Sequence, residues 1–409
     1  MSVPKSSRIE KYLKDYSQAI ACDHFPDHFP DHFRYRYVLI LPVCGEVKEC
    51  LHEVMATVST ADVLVVVLVN RPKEHPKTST WKQQNQQLID LLIESSESIS
   101  LNEGVYWCRT AAPYDVLLLD FNDHPFDANR GVGQARRIAA DTALSLIQQG
   151  RVTVPWIHST DADVYLPATY FGCTDGLAES CVALSLPFQH VSEDLDAVSL
   201  QSHYDFKLYY YQQAMRFVGS RYDYIPLGST LVVNAEAYAQ VRGFPCRSGG
   251  EDFYLLNKLA KVGHINQPQE PVVDIKVRMS DRVPFGTGPA IKQIQEDQAA
   301  DVAAHYYHPQ IFHELKQWRA ALLDFYDSKQ LPEAPEALNN HWQIKTVLDQ
   351  AYKQIQSPKR WQQFVDEWLD AFKLLRSVHV LQQDMPPLSQ DELLLLPAYQ
   401  DILACEDVG

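Results

Sequence analysis

The sequence predicts an α/β fold with a mixed, mostly parallel sheet, followed by an all-helical C-terminal region. Two observations carry this. Between about residues 37 and 186, short apolar runs alternate with stretches of helical periodicity, the pattern of a sheet covered on both faces. Beyond about residue 290 the strand-like runs stop and only amphipathic helical periods remain.

Taken in order, Ser7 to Ile20 reads as a helix. Ile9, Tyr12, Leu13, Tyr16 and Ile20 recur at helical spacing, and Ser7 with Glu10 forms a capping box. Asp23 to Phe33 is an Asp-His-Phe-Pro repeat that places His24, His28 and His32 four apart. Pro26 and Pro30 break that period, so an extended loop is expected rather than a metal-binding helix face. Tyr37 to Val43 is a continuous apolar run of buried-strand type. Val47, Cys50, Leu51, Val54, Met55 and Val58 mark an amphipathic helix, and Val63 to Val69 is a second strand, closing at Asn70-Arg71-Pro72. A polar helix around Thr80 to Ile93 leads to a third strand, Asp115 to Asp120. Gln134 to Gln149 is a helix that Gly150 ends, Val154 to Ser159 a fourth strand, and Cys181 to Leu186 a fifth.

Farther on, Ile311, Leu315, Trp318, Leu322 and Phe325 share one helix face. Trp342, Val347, Leu348, Tyr352 and Ile355 share a second. A third opens at Ser357-Pro358 and runs through Trp361, Phe364, Val365, Trp368, Leu369, Phe372 and Leu375; serine at the cap and proline at the first position suit a helix start. Pro332 to Pro335 reads as a hinge, and the aromatic stripes read as packing surfaces. The resulting organisation is residues 1–34 as an N-terminal helix and repeat loop, 35–290 as a catalytic domain, and 291–409 as a helical region expected to offer a surface for self-association.

Composition narrows the function. The chain is 46% apolar and 22% charged, ordinary for a globular protein, and its formal net charge of −16 excludes a nucleic-acid-binding surface, which needs clustered Lys and Arg. An acidic protein that holds an anionic ligand recruits a divalent cation to do so. Residues 1–20 lack the apolar core of a signal peptide, and no run approaches the roughly 20 apolar residues of a membrane span. The eight cysteines form no CxxC pair, so reduced thiols and a cytoplasmic location are expected.

Three segments carry chemistry. Trp156-Ile-His-Ser-Thr-Asp161-Ala-Asp163 ends a buried strand in two carboxylates two residues apart, on one side of the chain. Converging carboxylates repel unless a cation sits between them, and hard oxygen ligands suit Mn2+ or Mg2+, with a diphosphate completing the shell. Arg130-Gly-Val-Gly133-Gln-Ala-Arg136-Arg137 leads into a helix. Its glycines allow close backbone approach, the helix start favours an anion, and either arginine can bond a phosphate or the metal-binding aspartates. Ser248-Gly249-Gly250-Glu251-Asp252 places two acids at another helix start, where they suit the helix dipole or supply a general base.

In this order the segments resemble the inverting glycosyltransferases of family two, over roughly Tyr37 to Gly288. The opening strand with Pro42 and Glu46 is similar to the family's apolar strand, Gly131 to Arg136 to its glycine-rich turn, Asp161-Ala-Asp163 to its metal motif and Gly249-Gly250-Glu251-Asp252 to its acceptor motif. The resemblance implies a GT-A (nucleotide-sugar) fold and transfer of a sugar, a hexose by preference, from a nucleoside-diphosphate sugar to a hydroxyl of a small-molecule, saccharide or lipid-linked acceptor. It implies that Asp161 and Asp163 hold Mn2+ or Mg2+, that Asp252 is the base, and that Glu251, Gly249 and Gly250 hold the acceptor. Pro42, Glu46, Asn70, Gly133, Arg136, Asp161 and Arg282 are its donor-binding positions, with Arg278 to Arg282 and Gly286 to Gly288 similar to a segment that closes over the donor. Asn70-Arg71 stands where the family often has an Asp that reads the nucleobase, and His264, His305 and His308 are equal candidates for a third metal ligand. The alternatives are a sugar nucleotidyltransferase, for which Pro42-Val43-Cys44-Gly45 is a poor phosphate loop, and a catalytically silent scaffold.

Overall fold

The computed structural model describes residues 6–18, 34–192, 194–277 and 304–405. The chain divides into two compact units, one of Met1–Gln201 with Pro226–Ala290, the other of Ser202–Ile225 with Ile291–Gly409. The Asp-His-Phe-Pro repeat, Arg278 to Arg282 and Gly286 to Gly288 lie outside the described residues.

In the first unit the chain runs α1 (Ser7–Asp15), β1 (Tyr37–Val43), α2 (Lys48–Ala56), β2 (Val63–Val69), α3 (Thr78–Glu94), β3 (Glu97–Asn102), β4 (Val105–Arg109), β5 (Tyr114–Asp120), α4 (Gly131–Gln148), β6 (Trp156–Ser159), β7 (Val164–Tyr165), β8 (Cys181–Ser185) and β9 (Phe188–Val191). Helix α5 (Leu195–Val218) follows, its residues from Ser202 belonging to the second unit. The first unit resumes with β10 (Leu231–Asn234), α6 (Ala235–Gln240), α7 (Glu251–Leu259), β11 (His264–Asn266) and β12 (Val273–Lys276).

Nine strands form one sheet in the order β11-β8-β10-β6-β1-β2-β5-β4-β3. Its centre, β6-β1-β2-β5, is parallel, and antiparallel strands flank it on both sides. Every residue of β1 and β2 is buried, which is why both read as unbroken apolar runs. Pro42 sits inside β1 without breaking the ladder. The Ile40 carbonyl faces β6, accepting from Thr160 N–H, and the Val43 carbonyl faces β2, accepting from Asn70 N–H. Pro42 therefore faces the β6 side, beyond the last ladder pair there, Ile40 with Ser159.

From β1 the chain steps outward to β2 and β5, then returns to β6 on the other side of β1. In open α/β sheets such a reversal marks the place where ligands bind, outside the carboxyl ends of the strands, here β1 and β6. A second, three-stranded sheet, β7-β12-β9, forms beside the carboxyl end of β6.

Helix α1 differs from the expectation at its start. The cap is Ser6, whose hydroxyl accepts from Ile9 N–H, while Ser7 is the first helical residue. Its Tyr12 reaches Asp141 in the middle of α4, and the Tyr12 and Tyr238 hydroxyls donate to the same carboxylate oxygen over 2.7 and 2.9 Å.

In the second unit, α8 (Gln310–Ser328), α9 (Glu336–Trp342), α10 (Ile344–Tyr352), α11 (Pro358–Trp368), α12 (Ala371–Leu381), α13 (Gln390–Leu395) and α14 (Pro397–Leu403) follow one another with no named strand among the described residues. Ser357 caps α11 by accepting from Arg360 N–H, with Pro358 in the first turn. Two predicted helices are split. Gln343, with a left-handed backbone, separates Trp342 on α9 from Leu348 on α10. Asp370 caps a new helix by accepting from Lys373 N–H, so Phe372 and Leu375 lie on α12 and Phe372 is exposed. The indoles pack with their N–H groups satisfied, Trp318 donating to Asn339, Trp361 to the Leu322 carbonyl and Trp342 to Ser377.

Candidate functional site

The three segments singled out in the sequence meet at one side chain, Arg136. It projects from the second turn of α4 and is only 3% exposed. Its Nε donates to Glu251 over 2.8 Å, and Nη1 donates to Ser159 Oγ and the Gly228 carbonyl, each over 3.0 Å. Nη2 donates to both oxygens of Asp161, over 2.7 and 2.9 Å. The fork geometry of guanidinium is what lets one residue serve four partners in fixed directions; a lysine ammonium cannot. Burial by itself would lower the guanidinium's pKa, but Asp161, Glu251 and Asp252 outweigh it and hold the charge firmly on.

Gly228 makes this approach possible. A Cβ there would stand 2.6 Å from Arg136 Nη2, so no other residue fits without moving the guanidinium. The Gly228 carbonyl also accepts from Ser159 Oγ over 2.8 Å, and its N–H donates to Asp252 over 2.8 Å. One residue, through its N–H on one side and its carbonyl on the other, thus links Asp252 to Arg136. The other oxygen of Asp252 accepts from Phe253 N–H over 2.7 Å. Burial, and then the charge of Glu251, push the Asp252 carboxyl up to about 7, against the pull of Arg136 and the two backbone donors.

The acids stand where they do because of Gly250. Its left-handed backbone (φ 68°) turns the chain into α7, so Glu251 and Asp252 open the helix, with Glu251 pointing inward to Arg136. Asp161 lies two residues past the end of β6 and is about a third exposed. Asp163 follows, half-buried, its backbone carbonyl accepting from Lys276 N–H over 2.8 Å. Glu53 on α2 steadies this turn by accepting from both Tyr165 and Lys276 over 2.9 Å.

At the neighbouring strand ends the side chains are mostly buried. Glu46 and Asn70 are 5% and 4% exposed, three residues past β1 and one past β2. The buried carboxamide of Asn85 ties these ends together, accepting from Gly45 N–H and donating to the Asn70 carbonyl and to Asn122. Arg71 is occupied structurally, donating to the Asn122 carbonyl and Thr78 Oγ1.

Several expectations need correction. The start of α4 is not an open anion cradle: Gly133 N–H donates to the Arg247 carbonyl, and a Cβ on Gly133 would lie 2.5 Å from the Pro245 carbonyl oxygen. The glycines there let the 245–248 segment cross the helix start. Arg137 reaches neither aspartate of the strand end; it donates to the Phe244 and Tyr16 carbonyls. His264 lies on β11, separated from β6 by β8 and β10, roughly 14 Å away at ordinary strand spacing. His305 and His308 belong to the second unit, where His308 accepts from Gln310 N–H at the start of α8. Arg282 lies outside the described residues. His158 packs against Tyr37, Tyr170 and Phe171 with both ring nitrogens unpartnered, and burial lowers its pKa to about 3.

Ser159 and Gly228 escaped the sequence reading. Ser159 appears only as the last residue of an apolar strand, and Gly228 only as a glycine before a short apolar run. Nothing local in either segment announces a partner far away in the chain.

No family model and no curated protein matches the chain. Among solved structures, S. aureus TarS 1-349 in complex with UDP-GlcNAc is 12% identical with a TM-score of 0.37, over 81% of this chain and 90% of that one. The mannosyltransferase PcManGT from Pyrobaculum calidifontis, in complex with GDP-Man and Mn2+, is 16% identical with a TM-score of 0.34, over 92% of each chain. Glucosyl-3-phosphoglycerate synthase from Mycobacterium tuberculosis, with Mn2+, UDP and glucosyl-3-phosphoglycerate, is 11% identical with a TM-score of 0.32, over 75% of this chain and 91% of that one. Likeness this distant carries no weight beside the residues themselves.

Proposed function

We propose that this chain is a GT-A glycosyltransferase that moves a sugar, a hexose by preference, from a nucleoside-diphosphate sugar to a hydroxyl acceptor, with a divalent cation and by a single inverting displacement. The observation that supports it most is the Arg136 node. It joins the carboxylate at the end of β6 to the acid pair at the start of α7, and so sets a metal-type motif and a proton acceptor on one rigid support.

The carboxylates suit a hard cation. Asp161 gives one lone pair on each oxygen to Arg136 and keeps others, and Asp163 follows two residues on. Among the described residues no cluster of three His, Cys, Asp or Glu stands ready to hold a metal alone. The ion would be held jointly by Asp161, Asp163 and the donor's diphosphate, the usual arrangement for Mg2+ with phosphate ligands. The chemistry a bound Mn2+ or Mg2+ supplies there is neutralisation of the charge gathering on the leaving diphosphate.

This chain's own residues do the rest. Asp252 takes the proton of the acceptor hydroxyl while that oxygen bonds the anomeric carbon; the bond to the diphosphate breaks and its electron pair leaves with the nucleoside diphosphate. Gly228 N–H and Phe253 N–H fix the carboxylate's direction. Glu251, held by Arg136, positions the acceptor side together with Gly249 and Gly250, while Pro42, Glu46 and Asn70 border the donor. Arg136 and Gly133 act as positioning residues, since each is consumed by contacts within the chain.

The test is calorimetric titration of the protein with UDP-glucose, UDP-GlcNAc and GDP-mannose, with Mn2+ and again with EDTA. At least one donor is expected to bind with Mn2+ and to weaken tenfold or more in EDTA or in Asp163→Asn. Failure of all three to bind would remove the proposal.

A further inference from the structure

Asp161 and Asp163 are supported in different ways. The Arg136 guanidinium donates to both oxygens of Asp161. Asp163 stands immediately before β7, which is only two residues long and meets β12 through two pairs, Val164 with Ile275 and Tyr165 with Asp274. So short a ladder is a weak hold on the turn.

Further support comes from α2. Tyr165 Oη and Lys276 Nζ both donate to the same oxygen of Glu53, each over 2.9 Å. They can do so because Tyr165 pairs with Asp274, and Asp274 and Lys276 alternate to one side of β12. Lys276 N–H donates in turn to the Asp163 carbonyl over 2.8 Å. The residue that Glu53 holds by its ammonium thus holds Asp163 by its backbone. Thr57, four residues after Glu53 and on the same helix face, accepts through Oγ1 from Leu166 N–H over 3.0 Å.

This cluster adds little to the stability of the fold as a whole. The Glu53 and Lys276 side chains are 48% and 44% exposed, and exposed ion pairs contribute little. Its effect is local: it fixes the chain on the far side of Asp163, as Arg136 fixes the near side at Asp161.

We propose that Glu53 is the positioning residue of Asp163, and through it of the divalent cation. This rests on the glycosyl-transfer reading for the cation's place and adds a residue outside the three segments that carry the chemistry. Because α2 starts two residues after Glu46, one short helix links the end of β1 to the metal turn.

The test has one readout without ligand and one with it, both on the full chain. In Glu53→Ala, amide hydrogen exchange at Lys276 and across residues 163–166 should quicken about fivefold or more, while the urea midpoint stays essentially unchanged. UDP and GDP are then titrated by calorimetry, with Mn2+ and again with EDTA. Glu53→Ala should weaken binding about fivefold in Mn2+ and leave it within about twofold in EDTA, whereas a general loosening would weaken both alike. Tyr165→Phe and Lys276→Met should each give part of that loss, and neither should add to it when combined with Glu53→Ala. Exchange at Lys276 unchanged in Glu53→Ala, or Mn2+-dependent binding undiminished in it, overturns the proposal. Wild-type binding that Mn2+ does not strengthen removes the cation from the reading and the proposal with it. Failure of the wild-type chain to bind either nucleotide sinks the glycosyltransferase reading itself, and the exchange result then still decides whether Glu53 holds the Asp163 turn.

Discussion

Arg136 and Glu251, 115 residues apart in sequence, meet across a 2.8 Å hydrogen bond between side chains that are each only 4% exposed. A buried ion pair of this kind is weak evidence for stability, because both charges lose their water. Its value here is specificity of arrangement: one guanidinium sets the relative positions of Asp161, Ser159, Gly228 and Glu251.

Breaking that node should be costly. Arg136→Gln leaves Glu251 buried without a cation, and removal of one partner from a buried pair typically costs about 3–5 kcal/mol. Urea denaturation should show a loss of that order. Arg136→Lys should recover only part of it, since an ammonium cannot span four partners.

Gly228→Ala tests the same node from the other side. Its Cβ would stand 2.6 Å from Nη2 and 2.7 Å from Cζ of Arg136. The expected outcome is a stability loss of about 1–3 kcal/mol, in the range of overpacked cores. Displacing the guanidinium and the N–H that aims Asp252 should also cut kcat at least tenfold.

Asp252 sets a pH dependence with a definite sign. Its carboxyl is raised from an ordinary 3.8 to about 7, so the proposed base is half-ionised near neutrality. Activity should rise as pH climbs through about 7, and Asp252→Asn should abolish transfer while sparing donor binding. For stability the sign is reversed. The folded chain keeps a proton that the unfolded chain releases, so this group's contribution falls as pH rises between about 4 and about 7. A pH profile of turnover for the wild type checks the first slope, and a pH series of denaturation curves for both proteins checks the second.

His158→Leu should leave activity within about twofold and stabilise the fold by about 1 kcal/mol, because it removes two buried ring nitrogens that lack partners. The native ring is neutral because burial holds its pKa near 3. Unfolded chains take up a proton at this residue below about 6.5, so wild-type stability should fall as pH drops through that value, and the variant should lack that part of the slope.

The parallel centre of the sheet was legible in the sequence because burial on both faces demands unbroken apolar runs: Val63 to Val69 is a strand end to end, as expected. The β3–β4 hairpin was not, because four of the six residues of Glu97–Asn102 are exposed at the sheet edge and only Ile99 and Leu101 in it are apolar, too short an alternation to stand out. The split at Asp370 was hidden by apolar residues on both sides of it, which extend a helical period across a cap. At the site, Asp161, Glu251 and Asp252 stood out as acids at a strand end and a helix start. Their convergence on Arg136 depends on which strands are neighbours, which local periodicity does not encode. Arg137 shows the same limit: its sequence context matches that of Arg136, yet one turn step sends it to the Phe244 and Tyr16 carbonyls instead.

The Tyr12–Asp141 contact bears on how the protein tolerates shortening. Asp141 lies in the interior, where Tyr12, Tyr238 and Gln18 N–H satisfy its oxygens, and two of those three donors come from the first eighteen residues. Deleting that stretch would leave this buried carboxylate to Tyr238 and, 3.7 Å away, Arg137, with an unfilled place beside the helix that carries Arg136. Heat resistance would suffer first, well away from any cut made at the surface.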